Sequence, residues 1–271
     1  MRNGKQTYKK AEVPTFPSVV DFLNKTITLP GELSECYSKG GRTLSPLNSM
    51  LVALQCAVAG IEIGPSATFG DWKILKRNVK KGERAFYVCK PCPHTRTEEK
   101  DGEEREVHWT GFTYIKSRFV LSQTEGEPYE PPDPRFDIGE AIIKLEVEPV
   151  PFTMDNLGCM GYAMGRTFAV NPLGTHQLAT TLHEMAHIVL GHTEGTGYFD
   201  NEDRTPRSMK ELEAEGTAML VLDMMGEPDQ KEARGYMQNW NIDGLTEIPE
   251  KNARHIFSAA YEIMKAGATY V

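Results

Sequence analysis

The chain has 271 residues, 39% hydrophobic and 25% charged, with five cysteines and a net charge of −8. That is ordinary globular composition, long for one domain and comfortable for two, with ample length to bury a core. No apolar run approaches the ~20 residues of a membrane helix, and Met1-Arg2-Asn3-Gly4-Lys5 lacks the apolar stretch of a secretory signal. An odd, scattered set of cysteines does not read as a disulfide framework, so a reducing, cytoplasmic setting with no membrane partner is expected. Residues 1–130 carry 19 Lys and Arg against 16 Asp and Glu, whereas residues 131–271 carry 11 against 22. The first half is the one suited to an anionic partner.

In chain order, residues 1–17 are polar, hold Pro14 and Pro17, and read as an arm. Val19 to Leu23 reads as a short helix, 31–41 as loop, and Asn48 to Ala59 as an apolar helix closed by Gly60, with Cys56 in its core. From Thr68 a short helix starting at Asp71 leads through Lys80-Lys81-Gly82-Glu83 into a strand at 85–88. Between 73 and 90 there are seven Lys and Arg and one Glu, interleaved with aromatics. Trp72, Lys73, Lys76, Arg77, Lys80, Lys81, Arg84 and Tyr87 thus combine charge for a phosphate backbone with flat rings for bases, which is what single-stranded nucleic acid requires. The plainer account is a solvated lysine-rich turn over core aromatics. Cys89-Lys90-Pro91-Cys92-Pro93-His94 resembles half of a zinc knuckle, with His108 as a further ligand and a second, structural zinc as the consequence. Two thiols at a strand end are the simpler reading. Residues 97–106 form a charged hairpin tip or loop, Phe112 to Leu121 a strand, and the four prolines of 127–134 a linker.

In the second half, 136–148 suits a strand or a short helix, and Gly161 to Pro172 a hairpin that could edge a cleft. Gln177 to Leu190, free of Pro and Gly, reads as a helix that Thr175 could cap. It carries His183-Glu184-Met185-Ala186-His187, an H-E-x-x-H pattern. Residues four apart share a helix face, so His183 and His187 can grip one zinc ion, and Glu184 can serve as general base toward a water on it. A catalytic zinc takes three protein ligands, so a third is needed. His192 falls one place short of the spacing of a third histidine and reads as a helix-end residue. Ser208 and Glu211 have capping-box spacing, which opens a second helix holding Glu211 and Glu215 on one face with Glu213 pointing elsewhere. Glu211 is taken as the ligand and Glu215 as the carboxylate that orients a histidine, with the reverse as the alternative. Further helices are expected at 232–240 and 253–266, and Tyr198, Tyr236 and His255 are candidate oxyanion donors.

With these residues in view, the chain resembles the ArdC antirestriction family of conjugative plasmids and phages. The resemblance rests on Gly41-Arg42, Asn48, Trp72, Val79-Lys80-Lys81-Gly82-Glu83 and Phe119 to Gly126, then on His183-Glu184-Met185-Ala186-His187 and Glu211-Leu212-Glu213-Ala214-Glu215. Leu44 and Pro46 depart from the tyrosine and glycine usual in that family, and Cys89/Cys92 with the charged insert lie outside its pattern. The resemblance implies an N-terminal single-stranded-DNA-binding domain, 1–130, and a zincin-like metallopeptidase domain, 131–271, within an α+β fold. It implies protection of incoming DNA, with an unknown protein substrate such as a restriction or regulatory protein. The alternatives are a DNA-coating protein with a structural metal site, and a regulatory zinc endopeptidase of the ImmA/IrrE kind cleaving a repressor.

Overall fold

Ser18 opens the first helix, α1 (Val19–Thr28), with a capping box. Its hydroxyl accepts from the Asp21 amide at 3.1 Å while the Asp21 carboxylate accepts from the Ser18 amide at 2.7 Å. The computed structural model describes residues 14–29, 31–100, 103–132, 135–153, 159–193, 206–227 and 248–269. The expected helix at 232–240 lies outside them, as does most of the N-terminal arm.

Where the sequence suggested loop, α2 (Glu32–Lys39) forms. Its N-terminal amides are capped from far along the chain: Asp223 accepts from the Gly31 amide at 3.0 Å and the Ser34 amide at 3.3 Å. No local pattern contains that partner. α3 (Pro46–Ala59) starts with a proline in its first turn and stops at Gly60, whose φ of 65° suits glycine.

The N-terminal sheet is built on a long hairpin of β3 (Phe86–Lys100) and β4 (Glu103–Val120), with β1 (Ser66–Ala67) on the far side of β4. This leaves β3 as an edge, and α3 covers it. Asn48 exchanges two hydrogen bonds with the Cys89 backbone at 3.0 and 2.8 Å. Gln55, seven residues on, does the same with Tyr87 at 2.9 Å each way. Two side-chain amides thus stand in for a neighbouring strand and satisfy the exposed edge. α4 (Phe69–Ile74) starts two residues earlier than the sequence suggested, because Thr68 and Asp71 form its capping box. β2 (Arg77–Val79) pairs with β5 (Thr124–Gly126).

The chain continues through β6 (Arg135–Phe136), α5 (Ile138–Lys144) and β7 (Glu148–Pro149) to the hairpin β8 (Gly161–Met164) and β9 (Thr167–Val170). β9 is central, parallel to β7 and antiparallel to β8, so among the described residues β8 is an edge strand. α6 (Gln177–Val189) packs against β8 and β9, and α7 (Arg207–Met225) and α8 (Glu250–Gly267) complete the layer, with β10 (Ala268–Thr269) paired to β6. Two expected caps do not form. α6 has His176 rather than Thr175 at its N-cap, and α7 starts at Arg207 after Pro206, so Ser208 is already inside the helix. Pro206 takes the N-cap place, its carbonyl accepting from the Met209 amide at 2.9 Å and the Lys210 amide at 3.1 Å.

The fold is a mixed one of helices and small, largely antiparallel sheets. Its main apolar cluster draws on both halves: Leu23, Leu33 and Leu51 pack in one body with Leu182, Leu212, Met219 and Ile256.

Candidate metal centre

α6 brings His183 and His187 onto one face with their Nε2 atoms 3.1 Å apart. α7, packed alongside, presents Glu211 Oε2 at 3.4 Å from His183 Nε2 and 3.6 Å from His187 Nε2. A tetrahedral ion with bonds of about 2.05 Å holds its ligand atoms roughly 3.3 Å apart. The three observed separations bracket that value, so the donor set fits a divalent cation without rearrangement. Among the described residues this is the set of His, Cys, Asp and Glu side chains close enough to hold an ion.

The other ring nitrogens are also engaged. Glu215 Oε2 lies 2.9 Å from His183 Nδ1, one helical turn beyond Glu211. His187 Nδ1 lies 3.1 Å from His192 Nδ1, and His192 Nε2 lies 2.9 Å from Glu213 Oε2. The second oxygen of Glu213 accepts from Asn252 Nδ2 and His255 Nδ1 of α8, each at 2.9 Å. Glu211 and Glu215 therefore occupy different positions around His183: one beside the nitrogen that faces the shared point, the other behind the ring.

Burial works against charge on His183, but hydrogen bonds with Glu211 and Glu215 outweigh it and hold the imidazolium up to about 10. A cation entering here replaces that proton. Burial holds His187 below its ordinary value, the neutral form a metal ligand needs. Hydrogen bonds from His183 and His187 hold the Glu211 carboxyl well below the usual range. Burial pushes the Glu184 carboxyl up to about 7, with the His183 charge opposing and Glu211 adding to the rise. A carboxyl near neutrality can both take and return a proton.

Glu184 lies against this edge strand. A Cβ on Gly161 would come within 2.8 Å of Glu184 Oε1, so only glycine lets β8 approach this closely. The cleft over these groups has a volume of about 1020 Å³. Its walls include β8 on one side and Arg207, Lys210, Glu211 and Glu215 of α7 on the other.

Other expected site residues fall elsewhere. Trp72 is fully buried, donates its indole N–H to the Phe119 carbonyl at 2.9 Å and meets Tyr129 edge-on. Tyr87 is buried, between Phe16 and the Lys116 ammonium. Neither ring offers a face to a base, which corrects the reading of these two aromatics as a stacking surface. Arg77 is held on the Thr124 hydroxyl at 2.8 Å and on the Thr124 and Glu127 carbonyls, tying β2 to β5. Lys73, Lys76, Lys80, Lys81 and Arg84 are exposed, Lys80 touching the Ser122 carbonyl at 2.8 Å.

The second zinc is also corrected. Cys89 and Cys92 lie three apart in the unbroken register of β3 from Tyr87 onward, so their thiols point to opposite faces and cannot share an ion. His255 is spent on Glu213 and does not line the cleft, while Tyr198 and Tyr236 lie outside the described residues. Sequence reasoning missed Gly161 and the Glu213–His192 contact. The one available signal for the latter was a carboxylate between Leu212 and Ala214, in the apolar part of α7.

Fold and site together define a mixed helix-and-sheet protein with an H-E-x-x-H pattern on α6 and a candidate divalent-metal centre completed by Glu211 of α7. Residues 30–120 match the family described as the N-terminal domain of anti-restriction factor ArdC. Over those residues the chain is similar to the family that the sequence resemblance named. Two crystal structures of the antirestriction ArdC protein from plasmid R388 are similar to it. The metal-free form has 21% identity and a TM-score of 0.47, over 92% of this chain and 93% of that one. The Mn(II)-bound form has 21% identity and a TM-score of 0.44, over 92% and 94%. None of the curated proteins matches the chain.

Proposed function

We propose that this chain is an antirestriction protein that binds single-stranded DNA through its N-terminal half and hydrolyses peptide bonds at the His183, His187 and Glu211 centre. One observation carries the hydrolytic reading: three ligand atoms at metal-site spacing, with a buried glutamate of raised pKa and, among the described residues, an edge strand lining the same cleft.

A divalent ion held there supplies a Lewis acid and lowers the pKa of a bound water. The protein's own groups do the rest. Glu184 takes the proton from the attacking water and returns it to the leaving amine. The edge of β8 offers backbone N–H and C=O groups to an extended peptide, fixing its register over the cleft. Two histidines and a carboxylate suit zinc and also other first-row divalent ions. Exposed Lys73, Lys76, Lys80, Lys81 and Arg84 supply charge for a DNA backbone. A protein substrate met at single-stranded DNA, such as a restriction or regulatory protein, fits both halves. No helix among the described residues is long and apolar enough to cross a membrane.

Glu184→Gln tests the hydrolytic reading, because it keeps all three ligands. Wild type and variant would be compared in a plasmid-transfer protection assay and on a quenched peptide library, with bound metal measured in both. Loss of protection and cleavage with metal retained supports the reading. Full protection by the variant would leave a DNA-coating protein with a structural ion. Fluorescence anisotropy with one oligonucleotide in single- and double-stranded form, at two salt concentrations, tests the DNA half. A salt-sensitive single-strand preference that Lys80→Ala/Lys81→Ala weakens is expected, and equal weak binding to both forms would sink it.

A further inference from the structure

The two histidines of the centre are held from behind in different ways. His183 has a carboxylate directly on its Nδ1, while His187 has another imidazole there. That second ring, His192, is almost fully enclosed, with 5% of its side chain exposed, and ends on Glu213, with 3% exposed. We propose that Glu213, acting through His192, is the positioning carboxylate of His187, and that this two-residue relay sets which nitrogen of His187 is free to bind a cation. The inference rests on the metal reading above but concerns groups that do not touch the ion.

The proton logic runs in one direction. An ionised carboxylate only accepts, so His192 must present N–H at Nε2 to Glu213. A neutral His192 then has a lone pair at Nδ1, and His187 must donate its own Nδ1–H to it across 3.1 Å. His187 is left with its lone pair at Nε2, the atom facing His183 Nε2 and Glu211 Oε2. The ring planes of His187 and His192 stand at 65°, so the second ring also limits rotation of the first.

Glu213 cannot turn away from this task. Its other oxygen is occupied by Asn252 and His255, which fixes the carboxylate plane from α8. Glu213 is among the most buried polar residues of the chain, at 2% exposure over the whole residue, and three donors surround it. They come from two other segments.

Two substitutions at His192 separate positioning from mere packing. Asparagine places an amide near the His Nδ1 position and can still accept from His187, whereas glutamine reaches the Nε2 position and can serve only Glu213. Zinc and manganese affinities would be measured by chelator competition on the full chain, with thermal unfolding of the metal-free variants as the check on folding. Second-sphere partners of this kind are worth about tenfold to a hundredfold in metal affinity. His192→Gln and Glu213→Gln are expected to lose that much, and His192→Asn to keep most of it. Equal affinities for the glutamine and asparagine variants would overturn the relay. Nitrogen-15 histidine spectra of the metal-free protein give a second reading: Nδ1–H on His187 in wild type, lost in His192→Gln. The opposite tautomer in wild type would overturn the proposal. If wild type binds neither ion, the metal reading fails, and the tautomer still decides the relay.

Discussion

Gly161 and Glu184 pack so tightly that a Cβ on the glycine would stand 2.8 Å from Glu184 Oε1, 2.8 Å from Thr180 Cγ2 and 3.0 Å from the Ala169 carbonyl. The edge strand and the proposed general base are thus set by one small residue. Gly161→Ala is expected to push the carboxylate aside and cut peptide hydrolysis by about tenfold to a hundredfold while metal content stays unchanged. Metal analysis beside turnover on a peptide substrate checks this, and an unchanged rate would mean that Glu184 is not held by β8.

The two acidic residues of α7 should separate by metal affinity. Glu211→Ala removes a ligand atom and is expected to abolish stoichiometric binding. Glu215→Ala leaves the three ligand atoms and is expected to weaken binding by about tenfold to a hundredfold. Chelator competition on both variants decides it, and the reverse order would make Glu215 the ligand.

Acid sensitivity gives a test without any metal. Burial alone would raise the Glu213 carboxyl, but hydrogen bonds from His192, His255 and Asn252 outweigh it and hold it at about 2, against 4.5 for a free carboxyl. Between those values the unfolded chain binds more protons than the folded one, so stability rises with pH. The contribution is complete above 4.5 and is lost as pH falls toward 2, on the order of 3 kcal/mol. Urea midpoints of the metal-free protein from pH 5 to 2 should therefore fall more steeply for wild type than for Glu213→Gln. Parallel curves would show that the three donors do not act on this group.

Trp72 is a core residue by burial and by its hydrogen bond to Phe119. Trp72→Phe is expected to cost about 1–3 kcal/mol, read as a lowered Tm, through the unsatisfied Phe119 carbonyl and lost volume. It should leave single-stranded-DNA affinity within about twofold. A large loss of DNA affinity with unchanged Tm would restore it as a contact residue.

What could be read in the sequence follows from how local its cause is. α6 was legible because periodicity, absence of breakers and the H-E-x-x-H spacing all lie within fourteen residues. The facing of Glu211 and Glu215 was legible for the same reason, as four residues make one turn. α2 was not, because its cap is Asp223 on α7. Glu213 was read as pointing elsewhere, which is correct for the cleft, but its partners come from a turn and a helix that helical spacing cannot place beside it. Trp72 and Tyr87 misled because composition reports that rings and charges are neighbours in sequence, not which of them the hairpin encloses. Cys89 and Cys92 misled because the spacing of a metal knuckle is harmless once it is extended into a strand.

The apolar body that joins Leu23, Leu33 and Leu51 to Leu182, Leu212 and Ile256 bears on how such proteins can be recombined. A boundary drawn in the proline-rich stretch near residue 130 would cut between partners, since α1, α2 and α3 close over α7 and α8. Exchange of one half between relatives would have to carry matching contact residues in the other, so the N-terminal and C-terminal parts of this chain are expected to diverge in step.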